Sequence, residues 1–311
     1  MRKISYLIFS VLVILFLENS CKRTDLTPAY IHVTLEDLEN CIDVSNFNET
    51  HDQFFDQDEL DAISRHKFTH VNVYVNNKNL GCWQLPCKVP VLDVSSTDTS
   101  TVVLLPAFPL SGMSNTITGY PFLNICRQKV VLQKGVTYEV AQNLPKYVYS
   151  EYACFPFFET FSNSTSFSPS SVSATAQGFD LVEVDGNKVG EIVLNDEDGL
   201  SFEVLSSSFY APVGSYRTLL EIRYKTEVDI QVAAKMATAY YPNNAYAVGG
   251  IYKSPDEWKT IHFDLTNIIN GNHSTTGNVT AMTLVLSGVA NPGEVKRVDI
   301  DDVKVVYIKT A

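Results

Sequence analysis

Arg297-Val298-Asp299-Ile300-Asp301-Asp302-Val303-Lys304-Val305-Val306-Tyr307 alternates apolar with charged side chains, and the alternation breaks phase once, at Asp301-Asp302. A period of two is that of a β-strand with one face in a core. A slip of one residue would turn the wrong side chains inward, so the doubled aspartate predicts a bulge or bend. A strand this apolar needs earlier strands to cover it. The composition supplies them, with 16 Tyr, 17 Phe and many Val, Thr and Ser. At 311 residues, 45% apolar and 19% charged, the chain is long enough for two domains and too apolar to be disordered. Its formal net charge is -12 and it has no long basic run, which excludes a nucleic-acid partner.

Working back along the chain, strand signals recur at 180–185, 189–194, 200–205, 217–225, 228–236, 246–252, 258–265, 281–287 and 297–308. Turns separate them at Asp185-Gly186-Asn187, at Asn195-Asp196-Glu197-Asp198-Gly199 and at Asn291-Pro292-Gly293. Strands and turns at this spacing predict a sandwich or jelly roll. The first part of the chain reads the same way. Thr69-His70-Val71-Asn72-Val73-Tyr74-Val75 alternates strictly, Asn76-Asn77-Lys78-Asn79 is a turn, and residues 80–85 return. Val89-Pro90-Val91-Leu92 is an edge piece and residues 101–105 a buried strand. Residues 130–132 and 136–140 predict a hairpin about Lys134-Gly135, and the polar, acidic residues 39–66 predict loop. The expected fold class is therefore all-β, with two β-sandwich domains.

Residues 1–20 read as a leader: Arg2-Lys3 is the positive start, residues 4–17 are apolar, and Ser20 precedes Cys21. This resembles the bacterial lipoprotein signal, in which cleavage precedes a cysteine that is then lipidated; it departs from that pattern in having Glu18 where leucine is usual. The resemblance implies acyl chains on Cys21 and an outer-membrane lipid anchor, on the cell surface, with residues 21–28 as tether. Five cysteines follow, Cys41, Cys82, Cys87, Cys126 and Cys154. Export permits disulfides, and Cys82–Cys87 is the nearest pair; buried free thiols are the other reading.

Three further resemblances refine the architecture. Val73 to Gly81, Leu85-Pro86 and Thr101-Val102-Val103 are similar to PEGA-like modules, which implies a small PEGA-like or Ig-like sandwich over 29–145. Pro28-Ala29-Tyr30-Ile31-His32, Val73-Tyr74-Val75, Leu80-Gly81, Leu85-Pro86, Val89-Pro90-Val91-Leu92 and Gly119-Tyr120-Pro121-Phe122, in that order, resemble a family of Bacteroidota outer-membrane lipoproteins. After a linker over 146–157, Phe158-Glu159, the strand around Trp258 and the closing Val298-Asp299-Ile300-Asp301-Asp302-Val303 resemble jelly-roll modules of the carbohydrate-binding, galactose-binding-like type. That implies a jelly roll over 158–311 whose first and last strands lie together. None of these resemblances carries over a catalytic residue.

Candidate chemistry is sparse. If the two ends of the jelly roll meet, Glu159, Asp301 and Asp302 form an oxygen cage for a structural Ca²⁺; the competing reading is a bulge with solvated carboxylates. Asn195 to Gly199 lacks the downstream glutamate of a calcium loop and reads as a turn. Neither H-E-x-x-H nor G-x-S-x-G occurs. Aromatic side chains carry the binding signal: Tyr240 and Tyr241 in a turn-like loop and Trp83 are candidate contact residues, whereas Trp258 reads as core. The sequence thus points to a non-enzymatic accessory subunit of an outer-membrane complex for β-barrel assembly, secretion or uptake, docked on a protein partner. The alternative is a cell-surface glycan-binding protein using the second sandwich.

Overall fold

The structure is a computed structural model that describes residues 27–309 apart from 40, 93, 96, 172–176, 239–243 and 277–278. The leader, Cys21, Tyr240 and Tyr241 lie outside the described residues. Eight strands make the first sandwich: β1 Ala29–Val33, β2 His70–Val75, β3 Lys78–Gln84, β4 Cys87–Val91, β5 Thr99–Pro109, β6 Ile117–Gly119, β7 Gln128–Val131 and β8 Thr137–Glu139. One sheet runs β4-β1-β8, the other β3-β2-β5-β6 with β7 also on β5. The inward alternate residues, such as Ile31, Val33, Val71, Val73, Val89 and Leu104, fill the space between them. The hairpin between β2 and β3 turns at Asn76 and Asn77, whose φ values of 49° and 65° suit asparagine.

Two expectations for this region need correction. Residues 39–66 are not all loop. Short helices α1 Leu35–Glu39 and α2 Phe47–Thr50 precede α3 Gln57–Ser64. Asp56 caps α3 by accepting from Glu59 N while the Glu59 carboxylate accepts from Asp56 N, both at 2.9 Å, a capping box visible as D-x-x-E in an acidic run. The helices bury Leu38, Phe47 and Ile63 in the same core. Nor do residues 130–140 form a hairpin: β7 joins β5 while β8 runs parallel to β1 in the other sheet. Gly135, at φ +75° and donating to Pro28 O, turns a corner between sheets. A corner and a hairpin turn use the same residues.

The second sandwich contains β9 Ala153–Glu159, β10 Phe167–Pro169, β11 Asp180–Val184, β12 Asn187–Leu194, β13 Ser201–Ser206, β14 Phe209–Tyr210, β15 Thr218–Thr226, β16 Ile230–Ala237, β17 Asn244–Ile251, β18 Ser254–Asp264, β19 Ala281–Val289 and β20 Lys296–Ile308. Helix α4, Thr266–Thr276, follows β18. An open sheet runs β10-β13-β19-β16-β17, and a second sheet runs β11-β12-β20-β15-β18 with β9 also on β20. The first and last strands of this unit do meet, with Val303 opposite Glu159 and Val305 opposite Phe157. The bulge is where the doubled aspartate puts it. Lys304 pairs Glu221 and Asp301 pairs Arg223, so three steps on β20 match two on β15, and Asp302 takes φ +45°.

The sheet containing β20 is covered on both faces. Leu220, Ile222, Ile261, Ile300, Val303 and Val305 point to the open sheet, while Leu219 and Val306 belong to the core of the first sandwich. The charged face of β20 is therefore buried against the first sandwich: Asp301, Asp302 and Lys304 are all at most 3% exposed.

Candidate functional site

Because the residues between the apolar positions of β15, β18 and β20 face the first sandwich, the seam between the two units is polar. Glu221 is its centre. Tyr120 donates to Glu221 Oε1 at 2.6 Å. The other oxygen, Oε2, faces His66 Nδ1 at 3.5 Å, Lys304 Nζ at 3.4 Å and His262 Nε2 at 3.8 Å. His66 is held from behind, its Nε2 lying 3.0 Å from Ile63 O and 2.7 Å from the Tyr149 hydroxyl. His262 stacks on Phe108, and its carbonyl accepts from Ser111 N. Burial drives both imidazoles toward the neutral form, His66 well below the ordinary histidine value and His262 down to about 4. Burial, then the Glu221 charge, holds the Tyr120 hydroxyl protonated. No spacing in the sequence signals this group, because positions 66, 221 and 262 converge only through the fold. A glutamate set within Leu219-Leu220-Glu221-Ile222 was the one visible oddity.

The carboxylates expected to share a calcium ion each take protein partners instead. Asp302 accepts from Arg65 Nε and Nη2 at 3.0 and 2.8 Å. Asp301 Oδ2 accepts from Arg223 at 2.5 Å and from Asn187 at 2.8 Å. Glu159 accepts from Phe161 N at 2.7 Å, from the Ser166 hydroxyl at 2.6 Å and from Ser166 N, fastening the loop after β9. Asp301 and Asp302 are neither solvated nor gathered with Glu159. Among the described residues, the His, Cys, Asp and Glu side chains that bring three ligand atoms within 4.8 Å of one another are His66, Glu221 and His262. All five described cysteines are free, including Cys82 and Cys87.

The aromatic candidates are also redistributed. Trp83 lies on edge strand β3, half-buried, and its indole N–H donates to Leu80 O at 3.0 Å, so its ring folds onto its own hairpin. Trp258 is not core: it is half-buried at the rim of the seam, with the Arg223 guanidinium 4.3 Å from its ring centroid and Lys67 donating to its carbonyl. Tyr210, Tyr216 and Tyr252 are 60%, 82% and 78% exposed.

The outer face of the open sheet presents a different surface. Register places Gln231 of β16 opposite Ser287 of β19, and Ser287 opposite Glu203 of β13, with Gly250 of β17 beside Gln231. In the next row Ala247 and Ala233 are small and stand beside Val285 and Leu205. Over this end of the sheet runs an open groove of about 640 Å³, lined by Glu203, Gln231, Ser287, Asp229, Lys253 and Asn291 among others. Lys253 is fixed by its backbone N–H on Asp229, and Tyr252 precedes it in the chain.

No protein-family model matches the chain, and no curated protein matches it. Solved structures similar to it include a xylan-binding domain from Paenibacillus barcinonensis, at 8% identity over 51% of this chain and 97% of that domain, TM-score 0.34. Another is a carbohydrate-binding module of the β-sandwich superfamily, at 10% identity over 77% and 85%, TM-score 0.37. A third is a cleaved adhesin domain of Lys-gingipain from Porphyromonas gingivalis, at 11% identity over 50% and 98%, TM-score 0.34. Likeness at this level assigns neither a ligand nor a site.

Proposed function

We propose that the protein is a non-catalytic glycan-binding protein, exported and anchored to the outer membrane through Cys21, whose second sandwich holds a polysaccharide on its open sheet. The observation that carries this reading is the groove over Glu203, Gln231 and Ser287. A sugar chain is recognised by amides, carboxylates and hydroxyls that bond its hydroxyl groups, beside a ring on which a sugar face can stack. Small residues, Ser287 and, on the other side of Gln231, Gly250, keep the sheet surface low beside the groove, and the exposed Tyr252 is next in the chain to the lining residue Lys253. The seam cluster, with its perturbed histidines, is closed off: the His66, Glu221 and His262 side chains are at most 1% exposed, so a polymeric substrate does not reach them.

The docking role expected from the sequence asks for a continuous apolar patch. Large apolar side chains that do stand out, such as Phe54, Tyr216 and Val289, come from separate elements. Affinity electrophoresis of the mature protein against a panel of plant, algal and bacterial polysaccharides tests the glycan reading. Retardation by at least one polymer is expected; passage unretarded through all of them returns the protein to the docking role.

A further inference from the structure

We propose that His66, Glu221 and His262 form a binding site for one divalent transition-metal ion of the zinc class, set in the seam between the two sandwiches. Three independent features point to it. First, His66 Nδ1, Glu221 Oε2 and His262 Nε2 are buried, lack a hydrogen-bond partner among the described residues, and face one another. Three buried polar atoms without a hydrogen bond in one spot cost free energy, and Lys304, 3.4 Å from Oε2, offsets the charge of Glu221 without bonding any of the three.

Second, the protonation pattern is that of ligands. Ile63 O can only accept, so His66 Nε2 carries the proton and Nδ1 presents a lone pair to the carboxylate. An imidazole that gives its far N–H to a carbonyl or hydroxyl is how metal-bound histidines are oriented. Tyr120 occupies Glu221 Oε1 in the same way and leaves Oε2 free to bind through one oxygen.

Third, the spacing fits. A tetrahedral zinc with bonds of about 2.0–2.1 Å sets neighbouring ligand atoms about 3.4 Å apart. The Nδ1–Oε2 and Nε2–Oε2 separations are 3.5 and 3.8 Å. Lys304 Nζ lies 3.4 Å from the same Oε2. As ammonium it neutralises Glu221 in the metal-free protein. A dication displaces it toward Ala62 O, also 3.4 Å away, or takes it as a free amine with loss of one proton. Two imidazoles and one carboxylate suit zinc rather than calcium or magnesium, which prefer oxygen ligands. The site is sealed, so the ion enters as the two sandwiches close on one another.

The test is refolding of the mature chain with equimolar ZnCl₂, removal of loose metal on a chelating resin, and metal analysis. About one zinc per chain is expected to survive, with a higher melting temperature than for protein refolded in EDTA. The Co²⁺-loaded protein should show visible bands of nitrogen and oxygen ligation without a thiolate charge-transfer band, which separates this site from the five free cysteines. Glu221→Gln and His262→Ala should abolish retention, and Tyr149→Phe, which loosens His66, should weaken it about tenfold. Folded wild type that retains no metal, a thiolate cobalt spectrum, or equal retention by folded Glu221→Gln would overturn the proposal. If the variants do not fold, the wild-type metal content and cobalt spectrum decide alone.

Discussion

Arg65, the residue that ends helix α3, holds both carboxylate oxygens of Asp302 across the seam, and Asp302 is the β20 residue driven to positive φ. The two facts belong together. The bulge turns Asp302 out of the β20 ladder and aims its carboxylate at the first sandwich, where a two-bond guanidinium contact fixes its direction. Aspartate tolerates the left-handed conformation better than most residues.

Arg65→Ala therefore leaves a carboxylate that is 3% exposed without its counter-charge. Arg65 itself is over a third exposed, so water recovers part of the loss, and a destabilisation of about 2 kcal/mol is expected. Asp302→Asn keeps the backbone preference and removes the charge, and should cost less. A urea unfolding midpoint unchanged in Arg65→Ala would show that the pair does not join the two sandwiches.

Three glycines in strands of the second sandwich are seats for phenylalanine rings. A Cβ on Gly190, Gly249 or Gly288 would stand 2.5, 2.4 or 2.6 Å from Phe161, Phe263 or Phe202 respectively. Each ring is buried, so none can swing away. Alanine at any of the three should destabilise by about 1–3 kcal/mol. A Cβ on Gly271, in α4, would have nothing within 4 Å, and alanine there should stabilise by up to about 1 kcal/mol. Thermal melts of the four variants check the contrast.

Acid should weaken the fold through the seam. The folded values of His66 and His262 lie below the value of about 6.5 in the unfolded chain, so the unfolded state binds more protons. Stability contributed by these two groups is complete above about pH 6.5 and falls as the pH drops below it, for His262 down to about pH 4, each giving a slope of up to about 1.4 kcal/mol per pH unit. Asp299 acts in the opposite direction. Burial, then Glu191, raises its value to about 6, so protonation favours the folded state as pH drops from about 6 toward 4. Asp299→Asn should stabilise near pH 8, lose that advantage near pH 4.5, and steepen the acid limb. A stability profile flat from about pH 7 to pH 4.5 in this variant would show that the histidines do not titrate with unfolding.

Groove variants should separate binding from folding. Tyr252→Ala is expected to lower polysaccharide affinity about tenfold, equivalent to about 1.4 kcal/mol, and Gln231→Ala by a comparable factor, with melting temperatures nearly unchanged because both side chains are exposed. Equal retardation of wild type and both variants by the same polymer would move the binding face elsewhere.

The strands of the second sandwich were legible because each has one apolar phase. The bulge was legible because Asp301-Asp302 breaks that phase. What alternation does not say is whether the other face meets water. Asp301 and Asp302 read as calcium ligands or solvated carboxylates, and only the arrival of the first sandwich makes them, with Lys304, interior. Trp258 was misplaced for the same reason: its neighbours across the strand are set by Arg223 and Lys67, not by its own segment. The capping box at Asp56 and Glu59 is local and could have been read; the His66, Glu221, His262 group is not, since it gathers side chains from three distant segments.

Strand β20 carries a consequence for the order of events in the cell. It is flanked on one side by β15 and on the other by β12 and then β9, and Val306 completes the core of the first sandwich. Neither unit is finished until the residues from 296 to 308 have arrived, although most of the chain is synthesised before them. Contacts of such long sequence separation form late and slowly. Loss of this one strand would therefore open both sandwiches at once, so the two units gain and lose their cores together.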